Sequence, residues 1–150
     1  MTKRRPGPPV PYGAGPYLEQ LGLDLLSRAD GKSHMWLVPQ GWMKNFMGVV
    51  HGGILATVAD TTAAQAVLSL FRSSPPRDPG ADQQHVMLVT TELHTSFLAP
   101  VTSSAIEAFG EVIHTGRSLV RARASLYAAE SGRRILEAVG CFMLLSSEPD

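Results

Sequence analysis

The residues with the clearest chemical potential lie in the run NFMGVVHGGILATVADTTAAQAV, from Asn45 to Val67. His51-Gly52-Gly53 stands where a loop gives way to a helical pattern, and one carboxylate, Asp60, follows among small and apolar residues. A helix N-terminus offers backbone N–H groups without intrahelical acceptors, together with the positive end of the peptide dipoles. With no side chains on Gly52 and Gly53, a ligand can come close to that backbone. Such a place suits a carbonyl oxygen that gains negative charge, as in acyl transfer. The plainer reading of the tripeptide is a tight loop-to-helix junction. Asp60 strengthens the chemical reading, because an ionised carboxylate on an apolar helix is costly unless partnered or employed. A bond to the backbone or to a threonine such as Thr57 or Thr61 would be its purely structural use.

Helical geometry restricts how these groups could cooperate. His51 and Asp60 are nine residues apart, so roughly 13 Å along a helix axis and about half a turn around it. They cannot converge on one small acyl group from the same helix. If both take part, Asp60 works with the Gly52 end of a second subunit's helix. A twofold homodimer with two equal sites meets that need.

The elements that must position them follow from periodicity. The helical pattern starts at or just after His51 and runs to about Leu70, before Ser73-Ser74-Pro75-Pro76 stops it. Gly53, Ala56, Thr57, Asp60, Ala64 and Val67 share one stripe. Ile54, Leu55, Val58 and Leu68 cover much of the remainder, so the helix should be buried on most sides. Residues 1–16, rich in proline and glycine, read as an extended or mobile tail, with the folded domain over 17–150. Residues 17–26 read as a short helix or a lead-in, with Leu18, Leu21 and Leu25 at helical spacing, then a turn at Asp30-Gly31 and a strand over 33–38. The loop over 39–48 carries Trp42, Phe46 and Met47, which either cap the core or wall a substrate pocket. An exposed loop is expected at 72–84, followed by four strands at 85–98, 104–114, 118–128 and 134–145.

On those strands Ala108 with Gly110, Ala122 with Ala124, and Ala138 with Gly140 each fall on one face. Together they make a shallow trough in which the Gly53, Ala56, Ala64 stripe could lie. The opposite faces mix Glu107, Glu111, Arg121, Arg123 and Glu137 with apolar residues. The element order predicts an α+β fold, a single domain whose antiparallel sheet wraps around one long central helix.

The formal net charge is zero, so nothing in bulk electrostatics favours nucleic acid or an anionic membrane. No apolar run is long enough to span a bilayer, and the basic N-terminal tip lacks the apolar stretch of a secretory signal. Cys141 is the single cysteine, which rules out an internal disulfide. His34, His85, His94 and His114 show no metal-site spacing, so no metal is expected. Serine-hydrolase elbows and Walker loops are absent. A cytoplasmic location is the expectation these features give.

Asn45-x-x-Gly48-x-x-His51-Gly52-Gly53 followed by Asp60 resembles the signature of the hotdog-fold acyl-CoA thioesterases of the phenylacetate-pathway (PaaI-like) type. The segment TTELHTSFLAP from Thr90 to Pro100 and the later Gly116-Arg117-Ser118 extend the similarity, which covers 21–145. The resemblance implies hydrolysis of an acyl-CoA thioester, with Asp60 as general base or nucleophile and the Gly52 N–H polarising the thioester carbonyl. It puts His51 and Asn45 where they hold the loop and the thioester. Thr90 falls where a hydroxyl orients the water or the carboxylate, and Gly116, Arg117 and Ser118 fall at a turn on the CoA phosphates. Gly53, Phe46 and Met47 join them as substrate-binding candidates. CoA enters only as part of the substrate, with no resident cofactor, and the family's dimers commonly pair into tetramers.

Plainer readings stand beside these: Thr90 as a strand former, Arg117 as a solvated turn residue, His51 as a loop-fixing hydrogen bond. Two other functions suit the same fold. One is a hydratase or dehydratase on acyl-CoA or acyl carrier protein, which typically pairs a carboxylate with a histidine on the same helix. Residues 54–70 contain no histidine. The other is a non-catalytic acyl-CoA-binding protein, marked by tight binding without thiol release.

Overall fold

The computed structural model describes residues 3–71 and 87–145. In chain order come α1 (Gly15–Leu21), β1 (Asp24–Ala29), β2 (Lys32–Leu37), a 3-10 turn at Gly41–Met43, α2 (Gly52–Leu68), β3 (Met87–Phe97), β4 (Ile106–Thr115), β5 (Leu119–Ala128) and β6 (Arg133–Leu145). The six strands form one sheet in the order β1-β2-β4-β5-β6-β3, antiparallel throughout. Helix α2 packs against every strand. This is the expected α+β arrangement, a sheet wrapped around one central helix. The loop read at 72–84 lies outside the described residues. No helix among the described residues is long and apolar enough to cross a membrane.

The first difference from the sequence reading lies at the N-terminus. Helix α1 starts at Gly15, inside the segment read as a tail, and ends at Leu21 instead of running to 26. Gly22, at φ 69°, takes the left-handed closing position and donates its N–H to the Leu18 and Glu19 carbonyls. Beyond it Leu23 and Leu25 alternate into the core, so the second half of the expected helix is β1. Leucines at 18, 21 and 25 fit helical spacing, but 21, 23 and 25 fit a strand, and the glycine decides between them. Asp30 (φ 50°) and Gly31 (φ 74°) are both left-handed, as a two-residue hairpin turn with right-twisting strands requires. The Pro/Gly segment is extended and docked: Val10 N–H donates to the Leu25 carbonyl at 2.7 Å, and the Tyr12 hydroxyl to the Leu23 carbonyl at 2.6 Å.

The trough is real, but a different face of α2 enters it. Strand register sets Gly110, Ala124 and Ala138 side by side. At Gly110 the helix comes so close that an added Cβ would stand 2.5 Å from the Thr62 carbonyl oxygen. Ser33 Oγ donates to that same carbonyl at 2.6 Å. The helix residues buried there include Val58, Ala59, Thr62, Ala63 and Ala66. Gly53, Ala56, Thr57, Asp60 and Ala64 are partly or largely exposed, and of the expected stripe only Val67 is buried. Charge explains the rotation. The stripe contains Asp60, whose carboxylate would be costly against the sheet. The Thr62 hydroxyl is satisfied in the core by the Val58 carbonyl at 2.6 Å.

Strand β3 holds a second feature. Thr90 lies opposite Phe142 and Glu92 opposite Cys141, so Thr91 is an extra residue, a bulge. Because side chains alternate along a strand, one extra residue reverses parity. Leu88 and Thr90 turn toward α2 before the bulge and Leu93 after it. Among the described residues β3 pairs only with β6, so its other edge has no partner there.

Candidate active site

His51 caps α2 with extended backbone, and its Nδ1 accepts the Gly53 N–H at 2.9 Å. A ring nitrogen that accepts carries no proton, so neutral His51 holds its proton on Nε2. The loop ahead is tied by Asn45, whose Oδ1 accepts from the Met47 and Val49 N–H groups at 3.0 and 3.1 Å. Gly48, at φ 74°, closes the turn by donating to the Asn45 carbonyl, and His51 N–H donates to the Met43 carbonyl. Of the first N–H groups of α2, Gly53's goes to His51, and those of Ile54 and Leu55 share the His51 carbonyl. Among the described residues this leaves the Gly52 N–H without an acceptor. Gly53 therefore has its N–H occupied within the chain, whereas Gly52 has one to offer.

The large loop side chains do not cap their own core. Phe46 is 97% exposed, Met47 65% and Trp42 64%, while Met43 is the loop residue that enters the core.

Asp60 sits on the outward stripe of α2 and opens into a groove of about 580 Å³. Ala56, Thr57 and Thr61 flank it on the helix, Thr90 and Leu93 come from β3, and Ala14, Tyr17 and Leu18 from the α1 region. Thr90 Oγ1 donates to Asp60 Oδ1 at 2.9 Å, an approach possible because the neighbouring bulge turns Thr90 inward. Burial pushes the Asp60 carboxyl above its ordinary value, and the Thr90 bond, which favours the charged form, offsets part of that rise. The result is a carboxylate more basic than usual, with one oxygen held and Oδ2 unpartnered among the described residues. Such an oxygen can take a proton from water or attack a carbonyl carbon.

The single chain thus brings Thr90 to Asp60, and Asn45 and His51 to the Gly52 end. The two groups stay apart: Gly52 and Asp60 stand eight positions apart on α2, roughly 12 Å along its axis. The turn Gly116-Arg117-Ser118 joins β4 to β5. Gly116 N–H donates to the Leu119 carbonyl, and the Ser118 carbonyl accepts from Leu144, which lies opposite Leu88. That places the turn at the Thr90 end of the sheet, with β6 between it and β3. Among the described residues no group of three or more His, Cys, Asp or Glu is arranged to hold a metal.

Sequence reasoning missed Tyr17 and Leu93 as lining residues and gave Thr57 no role in a site. Thr57 shares the Asp60 stripe and could have been found there. Tyr17 stands beside a Pro/Gly run, and no spacing points to it.

The sequence model of the thioesterase superfamily matches residues 47–135, more than half of the chain. Among solved structures, a conserved protein from Pseudomonas aeruginosa is 26% identical, over 87% of this chain and 94% of that one, with a TM-score of 0.73. The E. coli PaaI protein from the phenylacetic acid degradation operon is 21% identical over 87% and 84%, with a TM-score of 0.72. A hypothetical thioesterase from Streptococcus pneumoniae TIGR4, solved with coenzyme A, is 20% identical over 85% and 88%, with a TM-score of 0.69. No curated protein matches the chain. The matched span runs from the loop tip through α2, Asp60 and Thr90 into β6, and the sheet closes around α2 in the hotdog fold that PaaI shares: the chain belongs to the thioesterase superfamily.

Proposed function

We propose that the protein hydrolyses acyl-CoA thioesters to a carboxylic acid and free CoA, at two equivalent sites in a homodimer. The observation that carries this reading is the Asp60 carboxylate, made basic by burial and steadied by Thr90 at the floor of an apolar groove. The thioester carbonyl accepts a hydrogen bond from Gly52 of the partner subunit, whose helix dipole stabilises the charge that builds on oxygen. Asp60 removes a proton from water as the water oxygen bonds to the carbonyl carbon. The carbon–sulfur bond then breaks, and CoA leaves as a thiolate that takes up a proton. In the nucleophilic variant Asp60 itself bonds to that carbon, and water cleaves the resulting anhydride. His51 and Asn45 hold the loop that presents Gly52. Gly116, Arg117 and Ser118 form the turn that meets the CoA phosphates, and Phe46 and Met47 reach across to close the acyl site. Pairing of two such dimers into a tetramer is compatible with this geometry.

Release of free thiol from a panel of acyl-CoAs tests the proposal. Asp60→Asn should lower turnover by about 10²- to 10⁴-fold with the fold retained. Near wild-type turnover in that variant would remove Asp60 from the mechanism. Tight binding of acyl-CoA by the wild-type protein with no thiol released would mark a binding protein instead.

A further inference from the structure

The groove beside Asp60 has a wall to which hydrolysis assigns no role: α1, with Tyr17 on its groove side. Tyr17 is 60% exposed, so core packing does not hold its ring in place. Its hydroxyl does, 3.1 Å from Thr57 Oγ1. Thr57 gives its single hydroxyl proton to the Gly53 carbonyl at 3.0 Å, so it can only accept from Tyr17. The bond has one direction, and it fastens the ring over α2 one turn before Asp60. Apart from Asp60 and a few hydroxyls the lining is apolar, and no cation among the described residues lines it. Such a lining suits the acyl group rather than the phosphates of CoA.

We propose that Tyr17, latched to Thr57, is a specificity-determining residue that limits the length of the acyl group. The inference rests on the hydrolytic reading for the identity of the ligand. With the latch made, the ring closes the α1 end of the groove. With it broken, the ring can swing outward and a longer chain enters.

The test is kcat/KM across straight-chain acyl-CoAs from acetyl to palmitoyl, for wild type, Tyr17→Ala, Tyr17→Phe and Thr57→Val. In Tyr17→Ala the long-to-short ratio should rise roughly tenfold or more, the change falling on KM. Tyr17→Phe and Thr57→Val keep the ring and lose the latch, so each should shift the ratio the same way by less. Combined, they should add nothing further, because both remove one bond. A parallel titration of the same esters onto Asp60→Asn, with and without Tyr17→Phe, reads the preference by affinity alone. An unchanged chain-length preference in both kinetics and affinity would overturn the inference while hydrolysis stood. A shift in affinity in a protein that releases no thiol in any form would support the latch and remove the hydrolytic reading.

Discussion

Asp60 is held where its charge is unfavourable, and that has a consequence for stability as well as chemistry. Burial raises its folded-state pKa above the ordinary carboxyl value, a rise only partly offset by Thr90. A group shifted this way contributes stability that is present below its unfolded pKa and lost as pH rises through the folded one. Asp60→Asn should therefore raise Tm near neutral pH by a few degrees, and the gain should vanish in acid below the ordinary carboxyl range. Scanning calorimetry at the two pH values checks it. Thr90 gives the opposite handle. Its hydroxyl donates to the charged form, so Thr90→Val should raise the Asp60 pKa further and move the acid limb of the kcat profile to higher pH. An unmoved limb would reduce Thr90 to a packing residue. Asp60 was legible in the sequence because a lone carboxylate on an apolar helix is costly without a use. Tyr17 was not, since a single hydrogen bond across the fold leaves no mark on spacing.

Close approach at one glycine decides how the elements fit. At Gly110 an added Cβ would meet the backbone carbonyl of Thr62 and the Ser33 hydroxyl that bonds to it. Backbone cannot yield as a side chain can, so Gly110→Ala should cost about 1–3 kcal/mol or more. Urea denaturation reads this as a lower midpoint with an unchanged slope. The small residues of β4, β5 and β6 were legible as a trough because strands have a fixed period of two. Which face of α2 entered it was not, since Ala59, Thr62 and Ala66 offer as small a surface as Gly53, Ala56 and Ala64. Avoiding burial of Asp60 settles the rotation. The bulge at Thr91 was hidden for a related reason: one extra residue in a threonine-rich strand alters parity without altering composition.

Within one protomer the two halves of the proposed site stay apart. The Gly52 N–H has no acceptor among the described residues, and Asp60 lies roughly 12 Å further along the same rigid helix. No rearrangement short of breaking α2 joins them, so an active site containing both needs two chains. β3, with one edge unpaired among the described residues, and the exposed Phe46, Met47 and Phe97 near the Gly52 end are where a second copy can pair and bury apolar area. Two inactive variants test the sharing directly. Asp60→Asn removes the base. Gly52→Pro removes the N–H and keeps the helix start, because proline is tolerated at the first helical position and the extended His51 backbone suits a residue before proline. The Phe97 ring, 3.3 Å from an added Cβ, needs to shift by only a few tenths of an ångström. Each variant alone should be nearly inactive. Co-expressed in equal amounts, half the dimers are mixed and carry one intact site of two, so activity should return to about a quarter of wild type. Were both groups drawn from one chain, a mixed dimer would contain no intact site, and the mixture would remain as inactive as its parents.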